Sequence, residues 1–177
     1  MAFKSASRPL IRDNLVGYFL TNQVAALAEA QTQLGYVGTL TPLTNFYTSA
    51  IGRALTTFPH GMVVSARTQE AEVTYGRDSY EAWRHTYLVE FEIAGTSAAQ
   101  LTKDTEGYCT AFTNVCLNIP RATVLNGVQR AAGAIVRVVS VDPDVLRGTS
   151  TTSPPSDTGQ WMKAPQITVQ VDLIEGR

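Results

Sequence analysis

The chain has 177 residues, of which 44% are hydrophobic and 16% charged, with 14 basic and 15 acidic side chains for a formal net charge of -1. That length and apolar content suit one domain with a single buried core. The charges are dispersed, which excludes the basic footprint of a dedicated nucleic-acid-binding domain, and no window approaches the roughly 18 apolar residues of a membrane span. The opening MAFKSASRPLIRDNL lacks the continuous apolar stretch of a signal peptide, so synthesis in the cytosol is expected.

In chain order, Ile11, Leu15, Tyr18, Phe19, Val24, Leu27 and Leu34 recur near helical spacing and predict a helical region from Pro9 to Leu34 with one face built for burial, as one helix or two. Pro9 suits its first turn and Gly35 its C-terminal cap. The Gly-, Thr- and Pro-containing stretch that follows reads as connective, with a short helix expected over Asn45–Leu55. Met62-Val63-Val64-Ser65 begins a strand, and the polar run from Arg67 to Asp78 reads as its far end, a hairpin or an excursion beyond the core. Between His85 and Ile93, Tyr87, Val89, Phe91 and Ile93 alternate with Leu88, Glu90 and Glu92, the pattern of a half-buried strand with a solvated acidic face.

Gly95 ends that strand, and Ser97 with Gln100 has capping-box spacing for a second helix over Ala98–Leu117. Its two cysteines, Cys109 and Cys116, lie about 10.5 Å apart along a helix, too far for a disulfide, and read as buried thiols in a reducing compartment. Pro120 stops the helix, and Asn126-Gly127 offers a tight turn before a third strand over Ala134–Val141. A final strand is written by Ile167, Val169, Val171 and Leu173 alternating with polar residues. Between the last two strands, Gly148–Lys163 is rich in Ser, Thr and Pro and is expected to form a mobile loop. The closing Ile-Glu-Gly-Arg also spells an engineered protease site, but it continues the strand pattern directly.

No catalytic, cofactor or metal set emerges. His60 and His85 are isolated, and neither belongs to a zinc-ligand spacing. Ser97 stands at a strand-to-helix junction as an elbow nucleophile would, yet the second glycine of that motif is missing and helix capping explains the residue. Glu90/Glu92 and Asp142/Asp144 read as surface carboxylates, the latter pair flanking Pro143 in a turn. Function is therefore sought in surfaces. Two polar excursions are candidate partner interfaces: the arm near 67–80, with Arg67, Glu70, Glu72, Tyr75 and Arg77, and the loop near 148–163, with Trp161, Met162 and Lys163.

The order of elements implies one α+β domain over 1–177, with an antiparallel or mixed sheet of about four strands and helices packed on one face. The long N-terminal helix, the Phe58-Pro59-His60-Gly61-Met62-Val63-Val64 entry into the first strand, Tyr87–Ile93 before the central helix and the terminal Ile167–Leu173 strand together resemble phage tail-terminator and related tail-completion (neck) proteins. That resemblance implies a structural virion protein at the tail-neck junction, assembled in the host cytoplasm as a homohexameric ring that caps the tail tube. It implies contacts with the tail tube protein, with a neck or head-completion protein and, for a contractile tail, with the sheath. DNA would pass through such a ring without sequence-specific reading, and no membrane or cofactor is expected. The rival readings are a head-completion stopper, a tube subunit, or a small serine hydrolase using Ser97.

Overall fold

The computed structural model describes residues 7–48, 58–75, 78–119, 131–143 and 161–175. The first region is one helix, α1 (Ser7–Gln33), unbroken at Gly17. Its apolar side chains Ile11, Leu15, Phe19 and Leu27 are all buried, so tertiary packing on one face holds together what the glycine alone would have weakened, whereas Val24 and Leu34, expected on that face, are exposed. Gly35 ends it in the left-handed region at φ 59. There Tyr36 N donates to Gln31 O at 2.9 Å and Gly35 N to Thr32 O at 3.2 Å, the paired bonds of a Schellman cap.

The chain then crosses to β1 (Asn45–Tyr47), a three-residue strand at the start of the segment expected to be helical. It runs parallel to β2 (His60–Tyr75), which forms a long antiparallel hairpin with β3 (Asp78–Gly95). Gly61 makes the first crossing feasible, because a Cβ there would stand 2.8 Å from the Phe46 ring. Next come α2 (Ala98–Leu117), β4 (Ala131–Asp142), β5 (Trp161–Lys163) and β6 (Gln166–Glu175). The sheet order is β1-β2-β3-β6-β4, with β5 pairing the end of β3. The two short strands β1 and β5 account for the difference from the four expected.

The fold is α+β with an open mixed sheet. Tyr87, Val89 and Phe91 of β3, Ile167 and Val169 of β6, Phe19 of α1 and Phe112 of α2 belong to one buried cluster, so both helices cover the same face of the sheet. Aromatic rings concentrate there: the Phe19 and Phe112 centroids lie 4.8 Å apart and Phe91 and Phe112 5.4 Å, edge-on in the second pair. The linker between α1 and β1 is bound into this core as well. Gln23 of α1 pairs with Leu43 in both directions, its Nε2 donating to the carbonyl at 3.2 Å and its Oε1 accepting from the amide at 2.8 Å.

Candidate assembly surfaces

Cross-strand register decides which side chains share the second face of the sheet, the one opposite the helices. Arg67, Thr86, Gln170 and Arg137 stand abreast across β2, β3, β6 and β4, and the adjoining row is Gln69, Arg84, Asp172 and Ile135. Among the described residues, no helix lies on this face. A β-bulge between Ser65 and Arg67 keeps Arg67 in phase with the row despite the extra residue Ala66.

The centre of these rows is an ion-pair triad. Asp172 is fully buried and accepts from Arg84 through both oxygens, Nε to Oδ1 at 2.6 Å and Nη2 to Oδ2 at 3.0 Å, while Arg137 Nη2 approaches Oδ2 at 3.4 Å. The bidentate geometry is the strong form of a guanidinium–carboxylate pair and holds Arg84 even more firmly protonated than usual. Arg137 is 44% exposed and turns much of its guanidinium to solvent. Sequence patterning placed Asp172 on the polar face of the last strand and Arg137 within the third strand but could not bring them together, because their pairing depends on strand order. Arg84 lay just outside the expected strand, which begins at Asp78 and not at His85.

At the other end of this face, Glu92 meets the buried His60 Nε2 at 3.1 Å, and Asp142 ends β4. Glu90 departs from the expectation of a solvated carboxylate: it is 2% exposed. β3 is an inner strand flanked by β2 and β6, and Met62 and Gln166 stand on either side of Glu90 in register.

The polar arm is the distal half of the β2–β3 hairpin. Pairing of β3 with β6 ends at Ala82, whereas pairing with β2 continues to Tyr75 opposite Asp78, so two strands run on beyond the rest of the sheet. Arg67, Glu70 and Glu72 are exposed on β2. Glu70 pairs with Trp83 and Glu72 with Glu81, which places them on the helix side of the sheet plane, opposite Arg67. Tyr75 is the last residue of β2, and Arg77 lies outside the described residues.

Trp161, Met162 and Lys163, expected in a mobile loop, instead form β5, in register with Gly95, Ala94 and Ile93. Pro165 separates β5 from β6 while its carbonyl accepts from Phe91 N at 3.1 Å, so both strands follow the same edge of β3. Met162 is exposed, and Lys163 Nζ reaches Thr102 Oγ1 of α2 at 3.1 Å, a contact within the chain. The rest of the expected loop, residues 148–160, lies outside the described residues, as does the Asn126-Gly127 turn.

A further surface escaped the sequence reading. From Asn14 to Ala28, α1 carries no charged side chain, yet Val24 is 66% exposed, and Leu117 at the end of α2 is 65% exposed. Ser97 occupies the N-cap of α2, its hydroxyl accepting from Gln100 N at 3.4 Å. Neither histidine stands beside it in register: His85 is buried with Nδ1 at 3.1 Å from Thr68 Oγ1, and His60 is engaged by Glu92. Cys109 and Cys116 are both buried, and burial pushes the Cys109 thiol up to about 12 and raises that of Cys116 further.

No protein-family model and no curated protein matches this chain. Among solved structures, the chain is similar to one described as "Virion of native gene transfer agent (GTA) particle", with 11% identity, a TM-score of 0.36, and coverage of 89% of this chain and 92% of that one. At that distance the likeness assigns neither a fold family nor a function.

Proposed function

We propose that this protein is a structural virion component, a tail terminator that closes into a homohexameric ring, caps the tail tube and joins it to the neck. One observation carries this reading: a sheet whose described helices lie on one face continues into a two-stranded arm that outruns the other described strands. A closed ring needs two different patches per subunit, because its contacts are head-to-tail. The exposed Arg67 and Arg137 on the sheet face opposite the helices and the projecting arm are two such patches. The uncharged outer side of α1 adds a third, available to the tail tube protein or to the neck or head-completion protein, with the sheath as a further neighbour in a contractile tail.

Its mechanism is interface complementarity and not catalysis. The role of Ser97 as the α2 cap supports this assignment over the hydrolase reading. DNA would pass through the ring with no base-specific contact. A head-completion stopper or tube subunit is the alternative within the same class. Negative-stain imaging of the purified protein mixed with tail tubes separates them: a terminator caps one end of each tube and stops it, whereas self-assembly into long tubes would overturn this choice.

A further inference from the structure

The sheet has an open edge at each end of its strand order. β4 stands last on one side of the order β1-β2-β3-β6-β4. On the other side β1 covers β2 only from His60 to Met62, and residues 63–75 of β2 run on without it. Among the described residues, no strand pairs with either of these outer edges.

An edge strand presents a row of outward N–H and C=O groups, a template for another strand, and natural edges are commonly guarded with Lys or Pro. β4 runs for 12 residues and contains neither. Val139 and Val141 on it are 53% and 43% exposed. Strand addition to an edge of this kind is a common mode of protein recognition.

The chain itself supplies a fitting strand. The pairings β2–β3, β3–β6 and β6–β4 are all antiparallel, so β2 and β4 run in opposite directions. A second copy turned about an axis along the strands keeps those directions, and its β2 then meets β4 of the first copy antiparallel. The alternation passes from copy to copy unbroken, with the helices of every copy on the same side. The uncovered stretch of β2 is also similar in length to β4. Both edges carry a bulge, at Ala66 on β2 and at Val139 on β4. Bulges bend a strand and increase its twist, as a sheet curving round a ring requires.

We infer that the outer edge of β4 pairs antiparallel with the outer edge of β2 of the next copy, joining the sheets of neighbouring copies into one. The contact is head-to-tail, since each copy gives one edge and receives the other. The inference rests on the ring reading and names the edges that would close the ring.

Proline at the two bulges tests it. Neither Ala66 nor Val139 has a cross-strand partner in its own sheet, so proline there spares the internal ladder while it obstructs an incoming strand. Sedimentation velocity and native mass spectrometry at low salt would compare Ala66→Pro and Val139→Pro with the wild type, with urea midpoints to verify folding. Each variant alone should self-associate about 10-fold more weakly, the loss of one or two backbone hydrogen bonds. Mixed in equal amounts, the two should form two-subunit species and stop there. The intact β4 of Ala66→Pro accepts the intact β2 of Val139→Pro, and only obstructed edges then remain. Ala66→Lys and Val139→Lys keep the backbone donors, serve in place of a proline variant that fails to fold, and should weaken association in the same direction. If the folded variants of either edge assemble as the wild type does, or if the mixture forms no two-subunit species or grows beyond it, this contact is wrong while the ring reading stands. If the wild type stays monomeric even with tail tubes present, both fall.

Discussion

His85 shows how one residue couples the arm to the core. It sits on the helix-covered face of β3, with Thr68 and Val171 beside it on β2 and β6 and the first turn of α1 above, where Tyr87 Oη donates to Arg8 O at 2.9 Å. Burial lowers its pKa from the ordinary 6.5, with the Arg8 charge acting in the same direction and Asp172 opposing. The folded state therefore binds fewer protons than the unfolded state below pH 6.5. Stability is complete above that value and falls as pH drops, by at most ~1.4 kcal/mol per pH unit. Urea midpoints measured from pH 7.5 to 5 should decline for the wild type and flatten for His85→Gln. Parallel declines in both would assign the effect to other groups. The histidine was visible in sequence, but its burial was not: it lies at the edge of the alternating run, and only pairing on both sides encloses it.

At the scale of the element, α2 was the most legible part of the chain, and its observed bounds are those expected. Local chemistry wrote both ends, through Ser97 as N-cap and Asn118 as C-cap, and the apolar periodicity wrote the buried face of Leu101, Tyr108, Phe112 and Val115. Ser97→Ala should cost about 0.5–1 kcal/mol in urea unfolding and leave the helix otherwise in place, as an exposed cap with a long hydrogen bond implies. Unchanged stability, together with stoichiometric labelling of Ser97 by a fluorophosphonate, would move this serine from capping to catalysis. The strands were less legible at their ends. β3 begins seven residues before the expected His85, because Asp78–Arg84 is held by pairing with β2 and not by an apolar alternation of its own. β5 was missed for a similar reason: three residues after a Ser- and Pro-rich stretch carry no period and become a strand only by lying against β3.

For the molecule as a whole, the ring reading predicts a mass that depends on protein concentration and ionic strength. Light scattering at low salt should show assembly beyond the monomer as concentration rises. Added salt should reverse it, since contacts between exposed charges are screened within about 8–10 Å at physiological ionic strength. A monomeric mass at every concentration, unchanged by salt and by added tail tubes, would remove the basis for the ring.

The sequence by itself determined the α+β class, the cap of α1 at Gly35, the bounds of α2 and the alternating cores of β3 and β6, because each follows from local backbone chemistry or a period within one segment. Strand order, the projection of the arm, the burial of Glu90 and the meeting of Arg84, Arg137 and Asp172 were decided only by the tertiary structure. Those features depend on which distant segments lie side by side, and β3 and β6 join residues some 90 positions apart, such as Arg84 and Asp172, that no local pattern connects.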